Sequence, residues 1–291
     1  MSASEFPLSL HPSVVGFRLA WPALAEVALK TGYRGAVIPR EQPVEAEPKG
    51  AVRATAMLLP VEVRQDDATF LKTLPRLPAA CKFAREAGCR VATLGVPPSS
   101  EQPRDAQGAI YRERLKRCCQ VLDEYSIRLA LECITPVHSR RAHPYEFIWH
   151  NEEMLDFGLT VSSACGLAID SWHWHHAGSD PNWVRKIAGD RILDVHISDS
   201  PAAPPEAIRD LERLLPGEGI VDFKLFFDLL AEKNYCGAYT VEVFGRGLRE
   251  MEPGDGARLA FDASAATVEN VRRASAPPFA GNATVRDSAE V

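Results

Sequence analysis

RLALECITP, residues 128–136, is an apolar run broken by one carboxylate, Glu132, near its C-terminal end. Its length and its Leu, Ala and Ile content read as a strand covered on both faces, as in a parallel sheet. Three later runs repeat the arrangement: Asp170 in GLAIDSWHW (166–174), His196 in ILDVHISDS (192–200) and Glu242 in AYTVEVFG (238–245). Side chains alternate along a strand. Leu129, Leu131 and Cys133 therefore oppose Ala130 and Glu132, and Leu167 and Ile169 oppose Ala168 and Asp170. Likewise Leu193, Val195 and Ile197 oppose Asp194 and His196, and Tyr239, Val241 and Val243 oppose Thr240 and Glu242. In each run the larger apolar set fits under covering helices, so the ligand-type residue turns inward.

Further strand-like runs extend the pattern towards the N-terminus: LSLHPSVV (8–15), GAVIP (35–39), VRATAMLLP (52–60) and RVATLGVP (90–97). Amphipathic helical stretches lie between the strands at 21–32, 69–88, 109–125, 145–158, 222–234 and 256–274, with weaker units at 41–50 and 179–189. Gly32, Gly88 and Gly158 stand where helices should stop, Asp222 is an N-cap candidate, and Pro75 and Pro78 should kink or split the helix at 69–88. Alternating strands and helices of this number predict an α/β fold, a single-domain (β/α)8 TIM barrel over residues 1–274 with a polar tail at 275–291. The competing doubly wound sheet lacks support, because no GxGxxG follows the first strand.

Three carboxylates and an imidazole are costly to bury without a positive charge among them. Glu132, Asp170, His196 and Glu242 form an O3N set that suits one divalent ion (Mn, Mg, Co or Zn) in an open site and disfavours a closed structural zinc. All four fall towards strand C-termini, the face that carries active sites in such barrels. His173, in the loop after Asp170, is placed to approach a bound substrate, and Trp172 and Trp174 to wall a sugar pocket, with packing under the loop as the alternative for both. The Gly-rich Pro216-Gly217-Glu218-Gly219 lacks the Lys-Ser/Thr of a phosphate loop. Arg140 and Arg141 in VHSRRAHP (137–144) are candidates to meet a phosphate or carboxylate.

The 291 residues suit one such barrel, and 46% hydrophobic residues supply a large core. A net charge of -6 without a basic patch argues against nucleic acid as partner. No export signal is read at the N-terminus, and no apolar run approaches the ~20 residues of a membrane span. The 7 Cys are scattered without a CxxC pair, which suits a reducing cytoplasm. The sequon at Asn282 is then fortuitous.

Glu132 in ALECITP, Asp170 and His173 in AIDSWH, His196 in DVHISDS, PGEGIVDF (216–223) and Glu242 in TVEVF together resemble the sugar phosphate isomerase/epimerase group of the xylose-isomerase-like TIM barrels. The resemblance covers most of the chain in order and spacing, with its specific motifs in the C-terminal half. It implies that Glu132, Asp170, His196 and Glu242 hold one metal ion, that Glu132 and Glu242 are also the acid/base pair, and that His173 binds substrate. The implied activity is isomerisation or epimerisation of a small sugar, sugar phosphate or related polyol through a metal-stabilised enediolate. The chain departs from the pattern at Ala202, where many epimerases of this group carry an Arg; Arg209 and Arg213 are the candidates to replace it. That departure keeps open a dehydratase or lyase acting on a keto-sugar or keto-inositol. A non-catalytic sugar-binding barrel is the alternative of another class. Relatives that repair abasic DNA need extra His ligands, which this chain lacks between His11 and His138 and after His196. The expected partner is a small-molecule carbohydrate, and homo-oligomerisation stays open.

Overall fold

Strand-type runs covered on both faces belong to a buried parallel sheet, and here the sheet closes on itself. In the computed structural model, which describes residues 7–41, 47, 49, 51–177 and 180–275, eight parallel strands form a closed barrel in chain order. They are β1 (Leu8–Leu10), β2 (Gly35–Ile38), β3 (Arg53–Leu58), β4 (Val91–Val96), β5 (Arg128–Cys133), β6 (Gly166–Asp170), β7 (Ile192–Ile197) and β8 (Tyr239–Val241). β8 pairs with both β7 and β1, which completes the ring. Helices Trp21–Thr31, Arg104–Glu124, Asn151–Val161, Phe223–Glu232 and Pro253–Ser275 lie among the covering elements.

The alternation holds in the packing. Leu129, Leu131, Cys133, Leu167, Ile169, Val195, Ile197, Tyr239, Val241 and Val243 are all buried in one continuous core. Each such side chain taken out of water contributes roughly 1.5–3 kcal/mol. Leu193 departs from the expected set. It is only half-buried, because the β6–β7 register skips it: Leu167 pairs with Ile192 and Ala168 with Asp194. This bulge resets the face so that Asp170 stands directly beside His196.

Several sequence-based boundaries need correction. LSLHPSVV is a strand only over Leu8–Leu10; a 3-10 turn occupies Pro12–Val15, since Pro12 has no N–H for the ladder and the His11 side chain caps the turn at the Ser13 amide. The helix expected over 145–158 is two elements. Tyr145–Glu146 pairs antiparallel with Ser99–Ser100, and the helix is Asn151–Val161. Gly158 therefore does not stop that helix; a Cβ there would lie 3.2 Å from Leu131 Cδ1, so the glycine serves close helix–strand packing. The helix expected over 69–88 is split by the 3-10 turn Leu74–Arg76 into Asp67–Thr73 and Leu77–Glu86. Asp222 caps its helix as expected, accepting from the Leu225 amide. The tail at 275–291 beyond Ser275, which ends the last helix, the sequon and most of the unit at 41–50 lie outside the described residues. No described helix is long and apolar enough to cross a membrane.

Candidate metal centre

Register brings the four ligand-type residues together. Asp170 is the last residue of β6 and pairs with His196 on β7. His196 pairs with Thr240 on β8, and one further ladder-type bond, from the Glu242 amide to the Ile197 carbonyl at 3.2 Å, sets Glu242 just past the strand end. Glu132 on β5 stands opposite Gly95 of β4, whose missing side chain leaves room for its carboxylate. The result is a buried group in which one ligand atom from each of Glu132, Asp170, His196 and Glu242 lies within 4.8 Å of the others. Among the described residues no other group of three or more His, Cys, Asp or Glu converges in this way.

His196 Nδ1 faces Glu132 Oε1 at 3.2 Å and Glu242 Oε2 at 3.3 Å. Its Nε2 lies 3.2 Å from Asp194 Oδ2, and Asp194 in turn accepts from Thr240 Oγ1 at 3.3 Å and the Val195 amide at 2.9 Å. A carboxylate behind the imidazole fixes the ring and leaves the other nitrogen turned towards the centre, the arrangement that supports a metal-ligating His. Asp170 divides its oxygens. Oδ1 caps the short helix Ser171–His176 through the Trp172 and His173 amides at 2.8 and 2.9 Å, and Oδ2 faces the centre.

Burial and the Glu242 carboxylate raise the Glu132 pKa above the ordinary carboxylate value. Burial pushes Glu242 the same way, yet His11, His196 and Arg213 together hold it well below. Burial pulls His196 down, but Glu242, Asp194 and Glu132 carry it well above the usual imidazole range. These directions describe three carboxylates gathered around one imidazole, and hard oxygen donors with one imidazole fit a divalent ion. Glu132, Asp170, His196 and Glu242 are the residues that would hold it.

Three contributors, His11, Phe17 and Phe244, were not legible in the sequence, and a fourth, Arg213, was one of two candidates there. His11, just past β1, has its Nε2 3.3 Å from Glu242 Oε1 in poor hydrogen-bond alignment, and burial lowers its pKa to about 4. Arg213 comes closest to the role expected of the Arg absent at position 202. Its Nη1 bonds Asp170 Oδ2 at 2.9 Å and Glu242 Oε2 at 3.1 Å, and its Nη2 donates to His173 Nε2 at 3.1 Å. Its guanidinium lies between the rings of Trp172 and Phe244, 4.8 and 5.0 Å from their centroids. Arg209, by contrast, is spent on the Glu206 and Ile208 carbonyls. Phe17 and Phe244 stack at 6.4 Å and line the cavity above the centre. Phe17 sits at φ 56, a costly conformation for a bulky side chain.

That cavity has a volume of about 810 Å³, with Glu132, His196, Arg213 and Glu242 among its walls. Trp172, His173 and Trp174 are not. The helix capped by Asp170 rotates successive side chains instead of alternating them. Trp174 accordingly packs on Phe226 at 5.2 Å, Trp172 lies under Arg213, and His173 is buried against Thr135 and Arg213. Arg140 stacks on Trp149 at 3.9 Å, and neither it nor Arg141 reaches the cavity. The Gly-rich turn has an internal anion. Asp199 Oδ2 accepts from the Gly217 and Gly219 amides, so the turn is a tether rather than a phosphate cradle.

A closed (β/α)8 barrel carrying a buried three-carboxylate, one-imidazole set at its strand C-termini defines a class of fold and site. The chain belongs to the xylose isomerase-like TIM barrel family, whose model matches residues 62–267. It is 26% identical over 161 residues to inosose isomerase of Bacillus subtilis (strain 168), covering 52% of this chain and 55% of that one. It is 24% identical over 208 residues to L-ribulose-5-phosphate 3-epimerase of Salmonella typhi, covering 69% and 68%. A shorter match, 28% over 112 residues, is to 3-dehydroshikimate dehydratase of Pseudomonas putida, covering 38% and 17%. The chain thus spans about half the length of the inosose isomerase it matches. Among solved structures, a xylose isomerase domain protein from Alicyclobacillus acidocaldarius aligns with TM-score 0.80 and 24% identity over 92% of this chain and 99% of that one. The IOLI protein with a bound zinc atom aligns with TM-score 0.75 and 17% identity over 91% and 99%. At these identities the structural likeness is one of fold.

Proposed function

We propose that this chain is a divalent-metal-dependent isomerase or epimerase acting on a small sugar, sugar phosphate or related polyol. The observation that carries the reading is the convergence of Glu132, Asp170, His196 and Glu242, with Glu132, His196 and Glu242 in the wall of an 810 Å³ cavity. When bound, the ion would supply Lewis-acid polarisation of a carbonyl and its neighbouring hydroxyl. The chain's own groups do the rest. Glu242, kept ionised by its cationic neighbours, is suited to accept the proton from the carbon beside the carbonyl. Glu132, whose pKa is raised, is suited to carry a proton back. Return to the opposite face of the same carbon inverts it; return to the adjacent carbon isomerises it. Phe17 and Phe244 offer the stacking surface first sought in Trp172 and Trp174. His173 acts through Arg213, which it orients. The dehydratase relative favours a second reading, loss of a β-hydroxyl after the same proton abstraction. The seven free thiols support a cytoplasmic setting.

Metal titration should give one ion per chain, with Glu132→Gln or His196→Ala abolishing stoichiometric binding; full retention in both variants overturns the site. Incubating the metal-loaded protein with a ketose panel in D2O should then show C–H exchange that falls by about 10²–10⁴-fold in Glu242→Gln. An epimer or isomer as product supports the first reading and loss of water the second. Exchange with none of the candidates would leave a sugar-binding barrel.

Metal uptake should also depend on pH in a definite direction. The ion needs His196 unprotonated, and its pKa is raised, so protons compete at higher pH than for an ordinary imidazole. Affinity should rise from pH 5 to pH 8, and titration calorimetry in buffers of different ionisation enthalpy should register proton release on binding near pH 7. Affinity independent of pH, with no proton released, would contradict these electrostatics.

A further inference from the structure

Arg64 lies on the loop that follows β3 and faces the same cavity as the metal-type residues. The backbone on either side of it is clamped. Arg114, itself buried, donates from Nη1 to the Val63 carbonyl at 2.7 Å and the Gln65 carbonyl at 2.5 Å, and from Nη2 to Asp67 Oδ1 at 2.6 Å. The Glu62 amide adds a bond to Thr73 Oγ1 at 3.0 Å. The side chain presented by this rigid loop is uncommitted: among the described residues, no carboxylate pairs with Arg64 and no hydrogen bond engages its guanidinium. Arg40, also in the cavity wall, pairs with Glu62 through Nη1 at 2.6 Å and adds a second positive charge. Burial and the charge of Arg40 lower the Arg64 pKa and outweigh the opposite pull of Glu62, Tyr111 and Glu132. Gly95 also lines the cavity and stands beside Glu132, so no side chain at that position screens the rim from the centre.

We propose that Arg64, assisted by Arg40, is an anion subsite for the substrate, so that the molecule processed carries a carboxylate or phosphate held away from the reacting carbon. Holding a guanidinium on a clamped loop lowers the ordering cost of binding, and guanidinium recognises either oxyanion in bidentate fashion. The proposal rests on the reading of this cavity as the substrate site.

The test uses the full-length, Mn²⁺-loaded chain and two pairs of probes differing in charge: L-ribulose 5-phosphate against L-ribulose, and 3-dehydroshikimate against its methyl ester. Equilibrium binding to the wild type should favour the anion of one pair by about tenfold or more, and the pair that responds identifies phosphate or carboxylate. In Arg64→Ala the anion's affinity should fall to that of its neutral partner, and Arg64→Lys should recover part of it, with metal stoichiometry kept in both. Inorganic phosphate or acetate at matched ionic strength should raise the Tm of the wild type more than that of Arg64→Ala. Equal affinity within both pairs, a charge preference that survives Arg64→Ala, or no anion binding at all would overturn the subsite. Should neutral ketoses still undergo metal-dependent C–H exchange, the catalytic reading stands while the anion subsite falls; loss of metal binding and exchange together would remove the catalytic reading itself.

Discussion

Replacing Asp199 with Ala is expected to lower the unfolding free energy by about 3–5 kcal/mol, as for other buried charges stripped of their partners. The side chain is buried and accepts from four backbone amides: Gly217 and Gly219 at 2.9 and 2.8 Å on Oδ2, and Val221 and Ser200 at 2.9 and 2.8 Å on Oδ1. An alanine would leave these donors without their acceptor in a region where water has little access. Gly219 shows how tight the turn is: a Cβ there would lie 2.1 Å from the Ser200 carbonyl oxygen. The main chain of Asp199 also exchanges two bonds with Leu214, at 2.9 and 2.8 Å, next to Arg213. The same substitution should therefore loosen Arg213. Asp199→Asn keeps one carbonyl oxygen but turns an N–H2 towards donors, so it should lose an intermediate amount. Urea denaturation read by circular dichroism would check both variants. An Asp199→Ala midpoint within error of the wild type would refute the tether.

The centre itself was legible from the sequence because strands impose a period of two. Glu132, Asp170, His196 and Glu242 each interrupt an apolar run at inward parity; the register pairs Asp170 with His196, and the closed barrel brings Glu132 and Glu242 to them. What lay on loops was legible only in part: the sequence offers Arg209 and Arg213 alike to replace the Arg absent at position 202. Arg213 reaches the centre only because the Asp199–Leu214 bridge and the Gly-rich turn fold its segment back over the barrel mouth, a tertiary closure with no local periodicity to announce it. Phe17 depends on a left-handed turn after Gly16, and Arg64 on a clamp from Arg114 on a distant helix. For Trp172 and Trp174 the second of the two sequence readings holds: the Asp170-capped helix turns them into packing rather than into the cavity.

Arg213→Met should destabilise the protein by about 3–5 kcal/mol when measured with a chelator present. The guanidinium is 1% exposed and serves Asp170, Asp210 and Glu242 together, with Asp210 Oδ1 2.7 Å from its Nη2. Those carboxylates raise its pKa, despite the opposing pull of burial. Methionine can fill the slot between Trp172 and Phe244, so the loss measured is chiefly that of charge and hydrogen bonds rather than of volume. Lysine keeps a charge but lacks the planar fork that reaches Asp170, Glu242 and His173 at once, so Arg213→Lys should recover only part of the loss. A divalent ion would draw on carboxylates of Asp170 and Glu242 that Arg213 already contacts. Saturating Mn²⁺ should therefore raise the stability of Arg213→Met by more than it raises that of the wild type, since binding to the folded state adds stability in proportion to how strongly the ion is held. Chemical denaturation of both proteins, with and without Mn²⁺, reads the coupling directly. Equal increments would mean that guanidinium and ion do not share the carboxylates. A variant as stable as the wild type in chelator would mean that the buried charges are balanced by His196 without Arg213.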